Sequence, residues 1–142
     1  MKIYLLALLS FIVSAVMNAQ SEESLIRATL QQYIDGTSYN NPGLIKEAFY
    51  KDADLFLSKK DQEVWIVPVL EYCGFFEKRE KGKFNGRTGN ILTIDQENDI
   101  AMAKAEILIP SRNLRYIDIF LLKRINGHWK IISKAATLVP EE

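Results

Sequence analysis

The chain has 142 residues, 48% of them hydrophobic, and its 18 lysines plus arginines balance 18 aspartates plus glutamates. So balanced a chain offers no overall electrostatic attraction to nucleic acid or to an anionic membrane, and neither is expected as a partner. A single cysteine excludes an internal disulfide, and with one histidine there is no Cys/His cluster for a metal; no metal and no cofactor is expected.

The chain opens "MKIYLLALLSFIVSAVMNAQ", with one early Lys, an apolar run and then small and polar residues, which is the build of a secretory signal peptide. Residues 1–19 are read as that segment, removed near Ala19, and 20–142 as the exported domain, periplasmic or secreted. The run is short for a membrane span and lacks a charged stop-transfer flank, so stable membrane insertion is not expected. What remains, roughly 120 residues, suits one domain.

Next, Ile26, Leu30, Tyr33, Ile34 and Thr37 recur at helical spacing, with Ser21 available as N-cap ahead of Glu22 and Glu23. "NNPGLIKEAFY" supplies Asn41 as a second N-cap, Pro42 at the first helical position and a buried stripe of Leu44, Ile45, Ala48 and Phe49. "DLFLSKKDQEVWIVP" is two apolar runs around a polar turn, a hairpin stopped by Pro68. A third helix follows, its stripe made of Val69, Tyr72, Cys73 and Phe76. Cys73 is expected to pack as a small hydrophobe, since the sole His128 lies in a hairpin turn far along the chain. "EKREKGK" mixes acids and bases and is expected to be a solvated helix end and loop.

From Asn90 the period changes to strands: "NILTI", "IAMAKAEILI", "RYIDIFLLKR" and "WKIISK", the last two joined across Asn-Gly, a strong hairpin signal. Three helices ahead of most of an antiparallel sheet argue an α+β domain with helices over one sheet face.

This order of elements resembles the nuclear transport factor 2-like superfamily, a cystatin-like α+β cone in which a curved antiparallel sheet wraps around three N-terminal helices. "QQYIDGTSYNNPGLIKEAFYKDADLFL" is similar to its opening pattern, and "YIDIFLLKRINGHWKIISK" to the closing hairpin of its exported bacterial branch, labelled lumazine-binding or polyketide-cyclase-like. The superfamily's steroid isomerases match at Tyr33 and at Ile117–Asp118. The resemblance implies that Tyr33 and Asp118 could form a hydrogen-bonding pair, the aspartate kept protonated by an apolar site so that it donates. The isomerase general base falls on Leu57, which cannot take a proton, and Tyr50 and Lys51 stand where many members carry a His. Steroid isomerisation is not expected.

Tyr33 has a plain alternative role, a core ring whose hydroxyl finds a carbonyl, and Asp118 could be solvated at the sheet margin or tie down a helix end. As a pocket floor, the pair would be joined by Trp65, Tyr72, Phe76 and Tyr116, aromatic walls suited to a flat or greasy small molecule. Ala101, Ala103 and Ala105 leave space on one strand face, for a ligand or for a helix. Arg87, Arg112 and Arg115 read as surface residues of loops and strand ends. On the other face of the Asp118 strand, Ile117, Ile119 and Leu121 are apolar too, which predicts a second cover and hence a homodimer through the outer sheet. The leading functional expectation is a non-catalytic exported domain binding a hydrophobic or aromatic small molecule. The alternatives are a lyase- or isomerase-like enzyme using Tyr33 and Asp118, or a structural or interaction domain with a filled cone.

Overall fold

The first helix, α1 (22–38), buries the stripe Ile26, Leu30, Tyr33, Ile34 and Thr37, as its 3.6-residue spacing requires. The computed structural model describes residues 22–140, so the signal segment 1–19 and the N-cap expected at Ser21 lie outside the described residues. Helix α1 ends in a left-handed residue, Asn40 (φ 52°), and the Asn41 N–H donates back to the Gly36 carbonyl at 2.8 Å, a Schellman-type stop. Asn41 also starts α2 (Pro42–Ala48): its Oδ1 accepts from the Leu44 N–H, with Pro42 at the first position. A Cβ at Gly36 would come within 2.8 Å of Ile45, so glycine lets the two helices touch at this elbow.

The chain then runs β1 (Phe49–Lys59), β2 (Gln62–Pro68), α3 (Val69–Glu77), β3 (Thr88–Glu97), β4 (Ile100–Ile109), a 3₁₀ turn (Pro110–Arg112), β5 (Leu114–Ile125) and β6 (His128–Leu138). The hairpin expected after Asp54 is β1–β2, and its first strand begins directly at the end of α2. Helix α3 buries Val69, Tyr72, Cys73 and Phe76 as its stripe predicts. Burial pushes the Cys73 thiol above its usual range, and its Sγ approaches the Pro42 carbonyl at 3.7 Å, an arrangement for packing and not for a nucleophile.

The six strands lie in the order β2-β1-β6-β5-β4-β3. Four neighbouring pairs are antiparallel, and β1 pairs with β6 in parallel, setting the last strand between the first hairpin and the rest. Register shifts interrupt four of the five strand pairs, and two of them concern the site. In β3, Ile91 and Thr93 pair with Ala105 and Lys104, so Leu92 is the extra residue. In β6, Ile131 and Ser133 pair with Leu122 and Leu121, so Ile132 is extra.

The core lies between the concave sheet face and the helices. Ala101, Ala103 and Ala105 are buried with the α1 stripe, and Ile34 comes within 2.8 Å of where a Cβ on Gly89 would be. Small residues on β3 and β4 thus admit the helix. The convex face carries an apolar band uncovered within the chain: Met102 and Leu121 are half exposed, and Ile66, Phe56, Ala135 and Ile119 follow one another in register across four strands as far as Lys104 on β4.

Candidate functional site

On β5, Asp118 is paired with Ala105 on one side and Ala136 on the other, and by alternation shares the inner face with Tyr116, Phe120 and Leu122. It is 1% exposed, and Tyr33, rising from α1 beneath the sheet, is wholly buried. The two residues meet: the Tyr33 hydroxyl donates to Asp118 Oδ2 at 3.3 Å and lies 3.3 Å from the Tyr72 hydroxyl.

The expectation of a protonated, donating Asp118 does not survive this geometry. Lys134, 2% exposed, places Nζ 2.7 Å from the same Oδ2, so the carboxylate is an acceptor in a buried ion pair. The β6 register shift explains the lysine's position. Strict alternation from buried Ile131 would turn Ser133 inward and Lys134 out; the extra residue, Ile132, turns Lys134 in, opposite Phe120.

A second cation completes the cluster. Arg87 donates from Nη2 to the Tyr33 hydroxyl at 2.9 Å and from Nε to Thr37 Oγ1 at 3.1 Å, and its Nη2 is 4.0 Å from Asp118 Oδ2. It is not a surface arginine. The loop before β3 is bound to the end of α1, which fixes it: Asn85 Nδ2 donates to the Thr37 carbonyl and to Asn40 Oδ1, both at 2.7 Å, and Asn85 Oδ1 accepts from the Arg87 N–H at 3.0 Å. Burial, then Tyr72, hold the Tyr33 hydroxyl proton well above the ordinary tyrosine range, although the Arg87 charge pulls the other way. For Arg87, burial alone would lower the pKa, but the surrounding tyrosines and Asp118 outweigh it and the group stays above its usual value.

Above this floor opens a cleft of ≈ 230 Å³, lined by Leu57, Trp65, Tyr72, Phe75, Arg87, Tyr116, Asp118 and Lys134 among others. Trp65 and Phe75 stack at one wall, centroids 5.7 Å apart, and Phe75 meets Tyr72 edge-on at the same separation. An adjoining cleft of ≈ 450 Å³ shares Tyr72, Phe75, Arg87 and Ile109 and adds Phe76, Arg79, Asn85, Ser111 and Arg112. Of the six residues expected in one pocket, Trp65, Tyr72, Tyr116 and Asp118 line the first cleft, Phe76 the second, and Tyr33 sits under both, touching Asp118, Tyr72 and Arg87. Lys134, Arg87, Thr37 and Asn85 were not among them. Arg115 is engaged elsewhere, on Glu106 at 2.7 Å. Among the described residues no cluster of His, Cys, Asp or Glu is placed to hold a metal ion, and no helix is long and apolar enough to cross a membrane.

The family model described as "Putative lumazine-binding" matches residues 21–135. No curated protein matches the chain. Among solved structures the chain is similar to a nuclear transport factor 2-like protein of unknown function from Shewanella baltica, with 21% identity over 85% of this chain and 96% of that one and a TM-score of 0.74. A nuclear transport factor 2-like protein of unknown function from Silicibacter pomeroyi aligns at 15% identity over 85% and 98% of the two chains, TM-score 0.75. A cystatin-like domain of unknown function from Nostoc punctiforme aligns at 18% identity over 85% and 79%, TM-score 0.66. These likenesses show the fold: a nuclear transport factor 2-like, cystatin-like α+β cone.

Proposed function

The chain belongs to the "Putative lumazine-binding" family, and from that premise we propose that it binds a small aromatic or hydrophobic ligand in the Trp65–Tyr72–Tyr116 cleft without catalysing its conversion. The observation that carries this proposal is the cleft itself, aromatic on its walls and with a hydrogen-bonded polar cluster at its floor, which leaves the cone unfilled at one end. A non-catalytic role is supported by the cleft's side chains. Asp118, the one carboxylate lining it, is occupied by Lys134 and Tyr33, and Leu57, which also lines it, stands where the resemblance to the steroid isomerases puts their base.

Fluorescence titration tests the ligand site. One of the two tryptophans lines the cleft and the other, Trp129, is buried elsewhere, so a Trp129→Phe background isolates Trp65. Lumazine and a panel of flat aromatic molecules should include at least one that quenches Trp65 saturably, with the response lost in Tyr116→Ala. Absence of saturable quenching by every member, with no small molecule in native mass spectra of protein from its own host, would sink the proposal.

We further propose export with loss of residues 1–19, and a homodimer through the convex sheet face. The apolar band Ile66–Phe56–Ala135–Ile119, exposed at Ile66 and Phe56, supports the dimer, because an uncovered face would ordinarily alternate to polar residues. Ile119→Lys should convert a dimeric light-scattering mass to a monomeric one while keeping the fold; a monomeric wild type contradicts it. An N-terminus retaining Leu5–Val13 in the exported fraction contradicts export.

A further inference from the structure

We infer that the ligand is a planar monoanion, a flat conjugated molecule carrying one carboxylate or equivalent oxyanion, and that Arg87 receives the charged end. The inference rests on the cleft being a ligand site and adds what kind of molecule it takes.

The first support is a charge count at the floor. Two cations, Lys134 and Arg87, face one carboxylate, Asp118, and the shorter contact, 2.7 Å against 4.0 Å, belongs to the lysine. The remaining partners of Arg87 carry no charge: the hydroxyls of Tyr33 and Thr37, and the Tyr33 ring, over which the guanidinium lies 6.0 Å from the centroid. A mostly buried guanidinium without a full counter-charge is unfavourable unless something supplies one. Neither Arg87 nor Tyr33 relieves the imbalance by losing a proton: a guanidinium keeps its charge even when buried, and burial holds the tyrosine hydroxyl well above its usual value. Among the described residues the hydrogen bonds of Arg87 use Nε and Nη2 and none uses Nη1, on a side chain that lines both clefts. A planar guanidinium edge is suited to a carboxylate.

The approach to the site provides an independent support. The adjoining cleft is lined by Arg79, Arg87 and Arg112 and by no acidic residue. Among the described residues neither Arg79 nor Arg112 pairs with a carboxylate; Arg79 lies over the Phe76 ring at 5.6 Å, and Arg112 ends the 3₁₀ turn. In a chain whose charges balance overall, a cleft with three arginines and no acid is a local excess that draws anions inward. The deficit at the floor is a single charge, which favours a carboxylate over a dianionic phosphate.

The test is a set of matched probes: flat aromatic carboxylates such as 1-naphthoate, each paired with its neutral carboxamide and with the corresponding aryl phosphate, titrated calorimetrically into the full mature chain. At least one carboxylate should bind ten-fold or more tightly than its amide and more tightly than its phosphate. Arg87→Gln should bring the carboxylate-to-amide ratio close to one. Because that variant disturbs the floor, the exposed pair Arg79→Gln/Arg112→Gln gives a second measure: carboxylate affinity should fall several-fold and lose much of its salt dependence, a larger loss than that of the amide. Equal binding of amide and carboxylate by the wild type overturns the anion assignment and leaves the cleft as a site. Binding of no probe of any charge overturns the cleft as well, and tighter phosphate binding overturns the monoanion.

Discussion

The concave face of β5 and β6 has two halves that are equally buried and chemically opposite. Phe120 and Leu122 on β5, with Ile131 on β6, form a dry half under α1. One step along the same strands, Asp118 and Lys134 are as inaccessible as Phe120, at 1%, 2% and 0% exposure, yet carry opposite charges. Burial therefore does not separate core from site in this fold. What separates them is what each buried atom touches: in one half other carbon, in the other a hydroxyl, a carboxylate or a cation beside an open cleft. Well-packed apolar residues often replace a buried ion pair with no loss of stability, so the charged half is not explained by stability alone.

The sharpest way to break this contrast is Lys134→Met. It leaves the Asp118 carboxylate with a distant Arg87 and a weak tyrosine bond, and should cost ~3–5 kcal/mol in urea unfolding, while adding both Asp118→Leu and Arg87→Met, so that no buried charge is left unpaired, should recover most of the loss. A single-mutant cost below ~1 kcal/mol would mean that the charged half is effectively solvated. Leu122→Ala probes the dry half. It should cost ~2–5 kcal/mol through lost contacts and a cavity, and ligand affinity in the cleft should be unchanged. A loss of binding there would show the halves to be mechanically one.

The smallest expected effect links the halves through Tyr33, whose ring contacts Phe120 and whose hydroxyl serves Asp118 and Arg87. Tyr33→Phe should keep the ring packing and lose ~1.5–3 kcal/mol at neutral pH, because Arg87 loses an acceptor. The pH dependence has a definite sign. The folded-state pKa of Tyr33 is raised, chiefly by burial, so the native chain keeps a proton that the unfolded chain releases above the ordinary value of 10.0. Wild-type stability should therefore fall as pH rises beyond that value, and the gap to Tyr33→Phe should narrow. Urea titrations at neutral and alkaline pH measure both; a gap that widens with pH would contradict the buried, protonated hydroxyl.

Much of the fold is legible in residue spacing. The α1 stripe, the Asn41–Pro42 start of α2, the stop at Pro68 and the Asn-Gly hairpin are local signals, each satisfied by nearby atoms. The parallel β1–β6 pairing has no such signal, because no turn joins the two strands. The aromatic residues of the cleft were legible from helical and strand alternation, and the meeting of Tyr33 with Asp118 from resemblance. The cations were not. Lys134 faces inward only because the β6 bulge reverses the alternation, and Arg87 follows a charged loop whose anchoring depends on asparagine contacts roughly forty residues apart. Without these two, the aspartate reads as a lone carboxyl that must stay protonated; with them it is an anion among cations.

The place of β6 in the sheet has a consequence for how the molecule is made. Until residues 128–138 exist, the β1–β2 hairpin and the β3–β4–β5 meander have no strand in common, since β6 pairs with β1 on one side and β5 on the other. Strand β6 must therefore be made before the β1–β6 contacts can form, a topology that favours slow, late folding. Lys134 arrives on that same strand, so closure of the sheet and neutralisation of Asp118 are one event, and a nascent chain ending before His128 has neither a finished sheet nor a finished site.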